Sequence, residues 1–585
     1  MKSIHRCGIY PAIGVARVGN SPKGSFLARE VPDSRLAPRT GFKDSMGRVK
    51  RQVARFRVYG FDRNGKVVAE VTPEIADIEW TVHVANGKGA WYRFSTPLDI
   101  PGAEPALRRN QAHAGELSEL IIDPGPRTLK GPSQRARFGG GTFLGEEVHL
   151  GKAETDARGR LLVYGGRGRS EGIANAPITG LNNDGWFDDV SDGPVTATVA
   201  IGGRKIPVDS AWVVVGPPDF APGVRSPVTM YDVVLDTAER AGWLPFPDPP
   251  SFMEHIYTVL GQVCELQWVN AGMNLVHGYG STAHFMHPET LTRLADPSPA
   301  ARPFRTRVFR HFRKPGYRRS NPHQCPQIYG DGVRWPLNKP APNKWLTVTS
   351  YQYRCLEKWE RGEFIDDYRS ERPSPRLSDL PLEERPHALT RAALEGCLGG
   401  PFHPGCELTW PMRHVILYED GSPFRVKHLA PRTPPRSFGR RLEPEEAVGA
   451  KGPLNGSGPG DLTRWMAVPW QIDTANCGSG YEPEINAYLP TLWPARVPNQ
   501  VLTEGAFARV VDPALPDEER AKYLTQRADW LRNYSMEHGA LARGELFLAG
   551  WYRAGIIREL DNPAPARGVP ERLQVEMENG FERKP

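Results

Sequence analysis

The alternation of apolar and polar residues changes character once along this chain. Up to about residue 235 it is the pattern of strands. RFRVYGFD (55–62), VVAEVT (67–72), IEWTVHVAN (78–86), VTATVAIGG (195–203) and SAWVVVGPP (210–218) are alternating or β-branched, and turn residues bound them. NGK stands at 64–66 and again at 86–88, a hairpin signal in both places. So many strands in two hundred residues predict a sandwich-like or open-barrel arrangement. Past 229 the period becomes helical. The spacing predicts helices in TMYDVVLDTAERAG (229–242) and in PPSFMEHIYTVLGQVCELQWVNAGMN (249–274), the second starting at Pro249-Pro250-Ser251. YQYRCLEKWERGEF (351–364) places Tyr351, Cys355, Leu356 and Trp359 on one helical face. LPLEERPHALTRAALEGCLGG (380–400) reads as a helix stopped by Gly399-Gly400, and 516–560 as a last helical part containing RADWLRNYSM and GELFLAGWYRAGIIREL. The fold class is therefore α+β: a β-rich N-terminal domain over 1–235, then a helical, loop-rich catalytic domain over 236–585.

Composition refines this picture. The 60 Gly and 57 Pro among 585 residues make a fifth of the chain, which argues for long irregular connections rather than an all-helical fold. A net charge of +7 with mixed signs gives no nucleic-acid footprint. The basic run RPFRTRVFRHFRKPGYRR (302–319) reads as a solvated or anion-facing segment, because no nucleic-acid-binding motif accompanies it. The seven cysteines form no C-x-x-C pair and are odd in number, against a zinc ribbon or disulfide framework. The N-terminus lacks the apolar core of a signal peptide, and no stretch approaches the length of a membrane span. A cytoplasmic protein with reduced thiols is expected, with export by a route lacking a cleavable signal left open.

The familiar chemical motifs fail in turn. No G-x-G-x-x-G follows a strand and opens a helix. GRGRSEG (166–172) is Gly-rich but lacks the ending of a phosphate-binding loop, and H-E-x-x-H is absent. NNDGWFDDVSDGPV (182–195) carries Asp184, Asp188, Asp189 and Asp192 without the register or terminal Glu of a calcium loop, so its acids read as turn formers. GGPFHPGCELTW (399–410) gathers His403, Cys406 and Glu407 in a Pro/Gly turn. That is a hint of metal or acid–base chemistry, set against a histidine that merely bonds a carbonyl.

RWMAVPWQIDTANCGSGYEP (464–483) is more pointed. Asp473 precedes Cys477 by four residues. A carboxylate so close raises a thiol's pKa, which disfavours Cys477 as a free nucleophile. A carboxylate does suit proton abstraction, above all where burial lifts its pKa toward neutrality. Asp473 is therefore the candidate base, and Cys477 has some other task.

The motifs CGIYPAIGVARVGNSP (7–22), WFDDVSDGPV (186–195), GPPDFAP (216–222), QYRCLEKWERGEF (352–364), PFHPGCELTW (401–410), WMAVPWQIDTANC (465–477) and WPARVPNQVLTE (493–504) stand in this order along nearly the whole chain. Together they resemble the quinoprotein amino-acid oxidases, the family of the L-lysine 6-oxidases and glycine oxidases. The resemblance implies a cofactor made from the protein itself, cysteine tryptophylquinone, in which an oxygenated Trp is cross-linked to a Cys sulfur. It places that Cys at Cys477 and an essential carboxylate at Asp473. It puts an active-site position at His403, with Cys406 in the same turn as a second substrate-binding candidate. It favours Trp551 in GWYRAGII as the quinone Trp, with Trp530 and Trp493 as alternatives, and matches Phe220 to an aromatic residue at the substrate entrance. It further implies an amine or amino-acid substrate, O2 as oxidant, a flavoprotein maturation partner and a homo-oligomer.

Unmodified side chains hold no two-electron carbonyl acceptor for an amine, so such a chain must bind a cofactor or make one. The function expected is oxidative deamination of a primary amine, releasing an aldehyde or oxo-acid, ammonia and hydrogen peroxide. Two alternatives remain: quinone-dependent modification of a peptide or carrier-bound substrate, or a binding scaffold of this fold that never matures. The substrate itself is not written in one sequence.

Overall fold

The computed structural model describes residues 4–581 apart from 34–37, 39, 94–96, 114, 319–320, 322, 332–344, 371–374, 401–407, 430–435, 480–495, 536 and 565–566. It packs into two compact units. The first comprises 1–218, 374–396 and 403–473, and the second 219–373, 397–402 and 474–585. The division expected at residue 235 was contiguous; these units are not.

The first unit is built on a 14-stranded mixed sheet. All five strands anticipated from alternation are present in it, as Arg51–Phe61, Val67–Val71, Asp77–Val82, Ser191–Ile201 and Ala211–Gly216. Arg51–Phe61 is long enough to take different partners at its two ends. Its first half pairs with Leu161–Tyr164, and its second half with Arg6–Tyr10 and Val67–Val71. The Asp62–Lys66 turn closes the last of these pairings as the hairpin that the first NGK signals. Val53, Phe56, Val58 and Tyr59 are all buried. At 1.5–3 kcal/mol each, roughly, such side chains carry the core. The helix Arg385–Glu395 joins this unit because Leu389 and Ala388 pack on Tyr59 and Phe61, and Thr390 Oγ1 accepts from Ala12 N at 3.0 Å. It ends at Glu395, four residues before the glycines expected to stop it.

The second unit is mainly helical. Met230–Arg240 opens on a capping box between Thr229 and Asp232, and Ser350–Arg361 on one between Thr349 and Gln352. The latter helix buries Tyr351, Cys355, Leu356 and Trp359, as its spacing predicts. Ser251 caps the next helical stretch, which opens as a π-turn at Phe252–Tyr257 and continues as Thr258–Glu265. The basic run of 302–319 is not simply solvated. Arg305 and Arg313 are fully buried and donate to main-chain carbonyls, among them Trp359 O at 2.9 Å and Pro326 O at 2.7 Å. The C-terminal part also departs from expectation. The helix Gly539–Gly550 stops at a glycine, and Ile556–Asp561 is a strand paired with Arg572–Met577. The β-branched Ile556-Ile557 pair favours that strand over a continued helix.

The acids of 184–192 correct a second expectation, since most of them are not turn formers. Asp188, Asp189 and Asp192 are buried within or beside the strands Trp186–Asp188 and Ser191–Ile201. Asp192 accepts from Trp212 Nε1 (3.0 Å), Leu462 N (3.1 Å), Thr463 N (2.7 Å) and Thr463 Oγ1 (2.6 Å), tying residues 462–463 to the sheet. Asp189 fills the Gly-rich loop: Oδ2 accepts from the main-chain N–H of Arg167 and of Gly168 (2.8 Å). The loop that resembled a phosphate cradle thus holds one of the protein's own carboxyl groups. Gly166 is required there, because a Cβ would stand 2.2 Å from that oxygen. Only Asp184 remains exposed; it pairs with Arg93 and takes Asn110 N at 2.7 Å. Among the described residues, no helix is long and apolar enough to cross a membrane, and no group of His, Cys, Asp and Glu could hold a metal. The six described cysteines are all buried.

Burial pushes the Asp189 carboxyl up to about 7, with neighbouring Asp188 adding to the effect and the loop N–H groups opposing it. A carboxyl raised in the folded state keeps a proton that the unfolded chain releases near pH 4. Its contribution to stability therefore falls as pH rises from about 4 to about 7. Asp189→Asn keeps both loop hydrogen bonds and cannot ionise. Its urea midpoint should fall less than wild type between pH 5 and pH 7.5; an equal fall would show that Asp189 is already ionised at pH 5.

Candidate active site

The segment Met466–Ser479 is gripped from the first unit at nearly every residue before its helix begins. Arg109 Nη2 donates to Met466 O at 3.0 Å, Lys88 Nζ to Ala467 O at 2.6 Å, and Asn183 Nδ2 to Val468 O at 2.8 Å. The helix Trp470–Ser479 then starts with Trp470 N donating to Asp188 Oδ2 at 3.1 Å. A carboxylate at a helix N-terminus satisfies an orphan N–H and complements the macrodipole. Gln471 is held on the other side: it donates to Gly168 O (3.0 Å) and accepts from Ser170 Oγ (2.7 Å). The loop that encloses Asp189 thereby also clamps the first turn of the helix.

Asp188 can serve as a cap in the interior because Lys88 neutralises it. Lys88 Nζ lies 2.7 Å from Asp188 Oδ2, and both side chains are essentially inaccessible. Asn86 Nδ2 donates to Asp188 Oδ1 at 3.0 Å, so each carboxylate oxygen is occupied. Burial lowers the Lys88 ammonium's pKa; attraction to Asp188, and more weakly to Asp473, opposes that fall, while Arg109 adds to it. Arg109 is likewise pushed down to about 9 by burial, with Asp188 opposing. The second NGK, at 86–88, is therefore no hairpin. Lys88 opens a short 3-10 turn, Lys88–Ala90, and is buried.

On the helix so placed, Asp473 and Cys477 stand at i and i+4, one turn apart on one face. Asp473 is 0% exposed and Cys477 1%. The indoles upstream are structural. Trp465 meets Trp91 edge-on with centroids 5.0 Å apart and Trp410 at 4.4 Å, and the Arg464 guanidinium lies 3.5 Å over Trp91.

In the second unit, Trp551 is buried at the start of the turn Trp551–Arg553, directly after the helix Gly539–Gly550. Trp530 is committed to packing: its Nε1 donates to Gly555 O at 2.9 Å, and its ring lies 4.9 Å from Phe220 and 5.9 Å from Phe547. Phe220 is itself fully buried in that cluster, with its N–H on Arg496 O and its carbonyl taking Ile557 N. His403, Cys406 and Trp493 lie outside the described residues. Lys88, Arg109 and Asn183 were not singled out in the sequence, and Asp188 was read there as a turn former; the one signal for Lys88 was its place in the otherwise apolar or small run VANGKGAW.

Comparison with known proteins places the chain in a family. The family model for the L-lysine epsilon oxidase N-terminal region matches residues 10–215, and that for the L-lysine epsilon oxidase C-terminal domain matches 330–493. An L-lysine 6-oxidase from Marinomonas mediterranea is 28% identical over 552 residues, covering 80% of this chain and 70% of the relative. The crystal structure of the L-Lys epsilon-oxidase from the same organism superposes with a TM-score of 0.71 at 23% identity, over 98% of this chain and 95% of that one. The structure of its Schiff base intermediate with L-Lys gives a TM-score of 0.70 with the same coverage. At that identity the superpositions carry the fold alone. The two family models match in order and together span more than half of the chain, which belongs to the L-lysine epsilon-oxidase family of quinoprotein amino-acid oxidases.

Proposed function

We propose that this chain oxidises the primary amine of an amino acid, using a cysteine tryptophylquinone formed from Cys477 and Trp551 and returning the electrons to O2. One observation carries the reading: the helix Trp470–Ser479 sets a buried carboxylate and a buried thiol one turn apart. The donor set suits the cofactor. A buried thiol and a buried indole lie in the same compact unit, and the competing Trp530 already spends its N–H and both neighbouring rings on packing. The quinone, once formed, supplies the electrophilic carbonyl and two-electron acceptor that side chains lack.

The rest falls to the chain's own residues. Asp473 accepts the proton from the substrate carbon bearing nitrogen. Its burial excludes water from the proton it takes. Cys477 contributes its sulfur to the cross-link and so ties the ring to the helix that carries the base. The amine leaves as ammonia, its carbon as an aldehyde or oxo-acid, and O2 as hydrogen peroxide. The resemblance assigns His403 and Cys406 to substrate handling, and Phe220 to the substrate entrance. The L-lysine 6-oxidase relative makes lysine the first substrate to assay.

Cross-linking and quinone formation together add two oxygen atoms and remove four hydrogens. The intact mass of active protein should exceed the sequence mass by that difference, and proteolysis should recover residue 477 joined to the peptide holding Trp551. A free, alkylatable Cys477 in fully active protein would sink the assignment. Recovery of the link on the Trp530 or Trp493 peptide would move the quinone there.

Oxygenation of Trp551 needs an external source, because this chain carries no dinucleotide-binding fingerprint of its own. Expressed in a host without a partner flavoprotein, the chain should have the unmodified mass, and co-expression with one should restore the shift. A fully cross-linked quinone from the first host would refute the requirement.

Asp473→Asn preserves shape but accepts no proton at neutral pH. Amine oxidation per mole of intact quinone should drop at least about 10²-fold, the low end of a general-base contribution. Normal maturation with wild-type turnover in this variant would return Asp473 to a structural role.

A further inference from the structure

We propose that Lys88 is a positioning residue for Asp473: its buried ammonium, bridged through Asp188 to the N-terminus of the helix Trp470–Ser479, both fixes that helix and holds Asp473 in its proton-accepting, ionised form. The inference deepens the reading of Asp473 as base and rests on it. The geometry is direct. Lys88 Nζ reaches Asp188 Oδ2 at 2.7 Å and Ala467 O at 2.6 Å, while the same Asp188 oxygen takes Trp470 N at 3.1 Å. Asp473 follows Trp470 by three residues, so it lies one turn into the helix whose first N–H this pair holds.

A fully buried carboxylate beside a helix N-terminus would still favour its neutral form without a nearby cation. Among the described charged groups at this helix end are Lys88, Asp188, Arg109 and Asp189. Lys88 has Asp473 in its electrostatic surroundings, where the carboxylate favours the charged ammonium. That attraction is mutual: whatever Asp473 contributes to keeping Lys88 charged, Lys88 contributes to keeping Asp473 ionised. Asp188 works against it, since it is an anion at the same helix end.

The two partners therefore make opposite predictions, which a merely structural role does not. Displacing the helix would move Asp473's titration the same way whichever partner is altered. Loss of the cation must move it up in pH, and loss of the anion must move it down. Asp188→Asn retains an amide oxygen for Trp470 N, so the cap survives while the charge goes.

The test is an infrared titration of the full-length chain. The protonated-carboxyl band of Asp473 is isolated by subtracting, for each form, the same form carrying Asp473→Asn. Lys88→Met should shift the midpoint up by at least about half a pH unit, below the usual range for a close opposite charge. Asp188→Asn should shift it down, and Lys88→Arg should leave it near the parent value. Lys88→Met strands an anion in the interior. If it does not accumulate folded, the Lys88→Met, Asp188→Asn double variant takes its place and must still titrate higher than Asp188→Asn alone. Shifts of one sign in both single variants, or no shift in any, overturn the proposal. The titration does not depend on turnover. Activity retained in Asp473→Asn would remove the base assignment and leave this electrostatic result standing, whereas same-sign shifts with an inactive Asp473→Asn would remove only the role of Lys88.

Discussion

The buried ion pair between Lys88 and Asp188 is the contact on which the local architecture depends. Taking two charges out of water carries a penalty of several kcal/mol per ion, which mutual attraction offsets only if the remaining polar atoms are also bonded. Here they are. Asp188 uses both oxygens, on Lys88, Trp470 N and Asn86, and Lys88 turns a further proton to Ala467 O. Removing either partner would leave a bare charge inside, a loss of about 3–5 kcal/mol. A hydrophobic pair could hold the same space with equal stability, but it could not also cap a helix or present a positive charge to that helix's first turn.

Two strands of the first unit supply what the pair needs. Asp188 ends the strand Trp186–Asp188, and Asp192, four residues on in Ser191–Ile201, bonds the chain at 462–463. Two carboxylates on adjoining strands thus pin both the approach to the helix and its start. The stretch between them, residues 466–469, can run irregularly because Arg109, Lys88 and Asn183 satisfy the carbonyls of Met466, Ala467 and Val468 in turn. Buried loops are uncommon because their polar groups need such partners. This one is tolerated because a sheet and three cationic or amide side chains provide them.

What could be read from the sequence follows a physical line. Strands with period two and the helix Ser350–Arg361, with its four-residue apolar repeat, announce themselves, since each pattern is local. The C-terminal Ile556–Asp561 was misread because a short apolar run after a helix is ambiguous by period alone. The buried charges were illegible for a different reason. Lys88 and Asp188 are a hundred residues apart, and a lysine after Asn-Gly looks like any turn lysine until the fold supplies its anion. Asp189 in the Gly-rich loop escaped likewise: glycines that make room for a phosphate and glycines that make room for a carboxylate read the same. Asp473 and Cys477 drew notice because a carboxylate four residues before a thiol is unusual, and the helix Trp470–Ser479 sets the two one turn apart. His403, Cys406 and Trp493 fall outside the described residues, so the structure adds nothing to those assignments.

The placement of the candidate base on a helix, not a loop, bears on how such a site would be assembled. A group that must serve first during cofactor formation and then in turnover has to keep one geometry through both. A helix whose first turn is held by a carboxylate cap, a glutamine clamp and three carbonyl bonds loses little order when chemistry alters a neighbouring side chain. The charge arrangement has the same property. Lys88 is held by Asp188 and by Ala467 O, so its field at the helix does not wait on substrate or on maturation. Electrostatics of this preorganised kind need no rearrangement at the moment of proton transfer. The fold thus meets the expense of burying a lysine before the cofactor exists, which is why the pair is best understood as part of the scaffold and of the site at once.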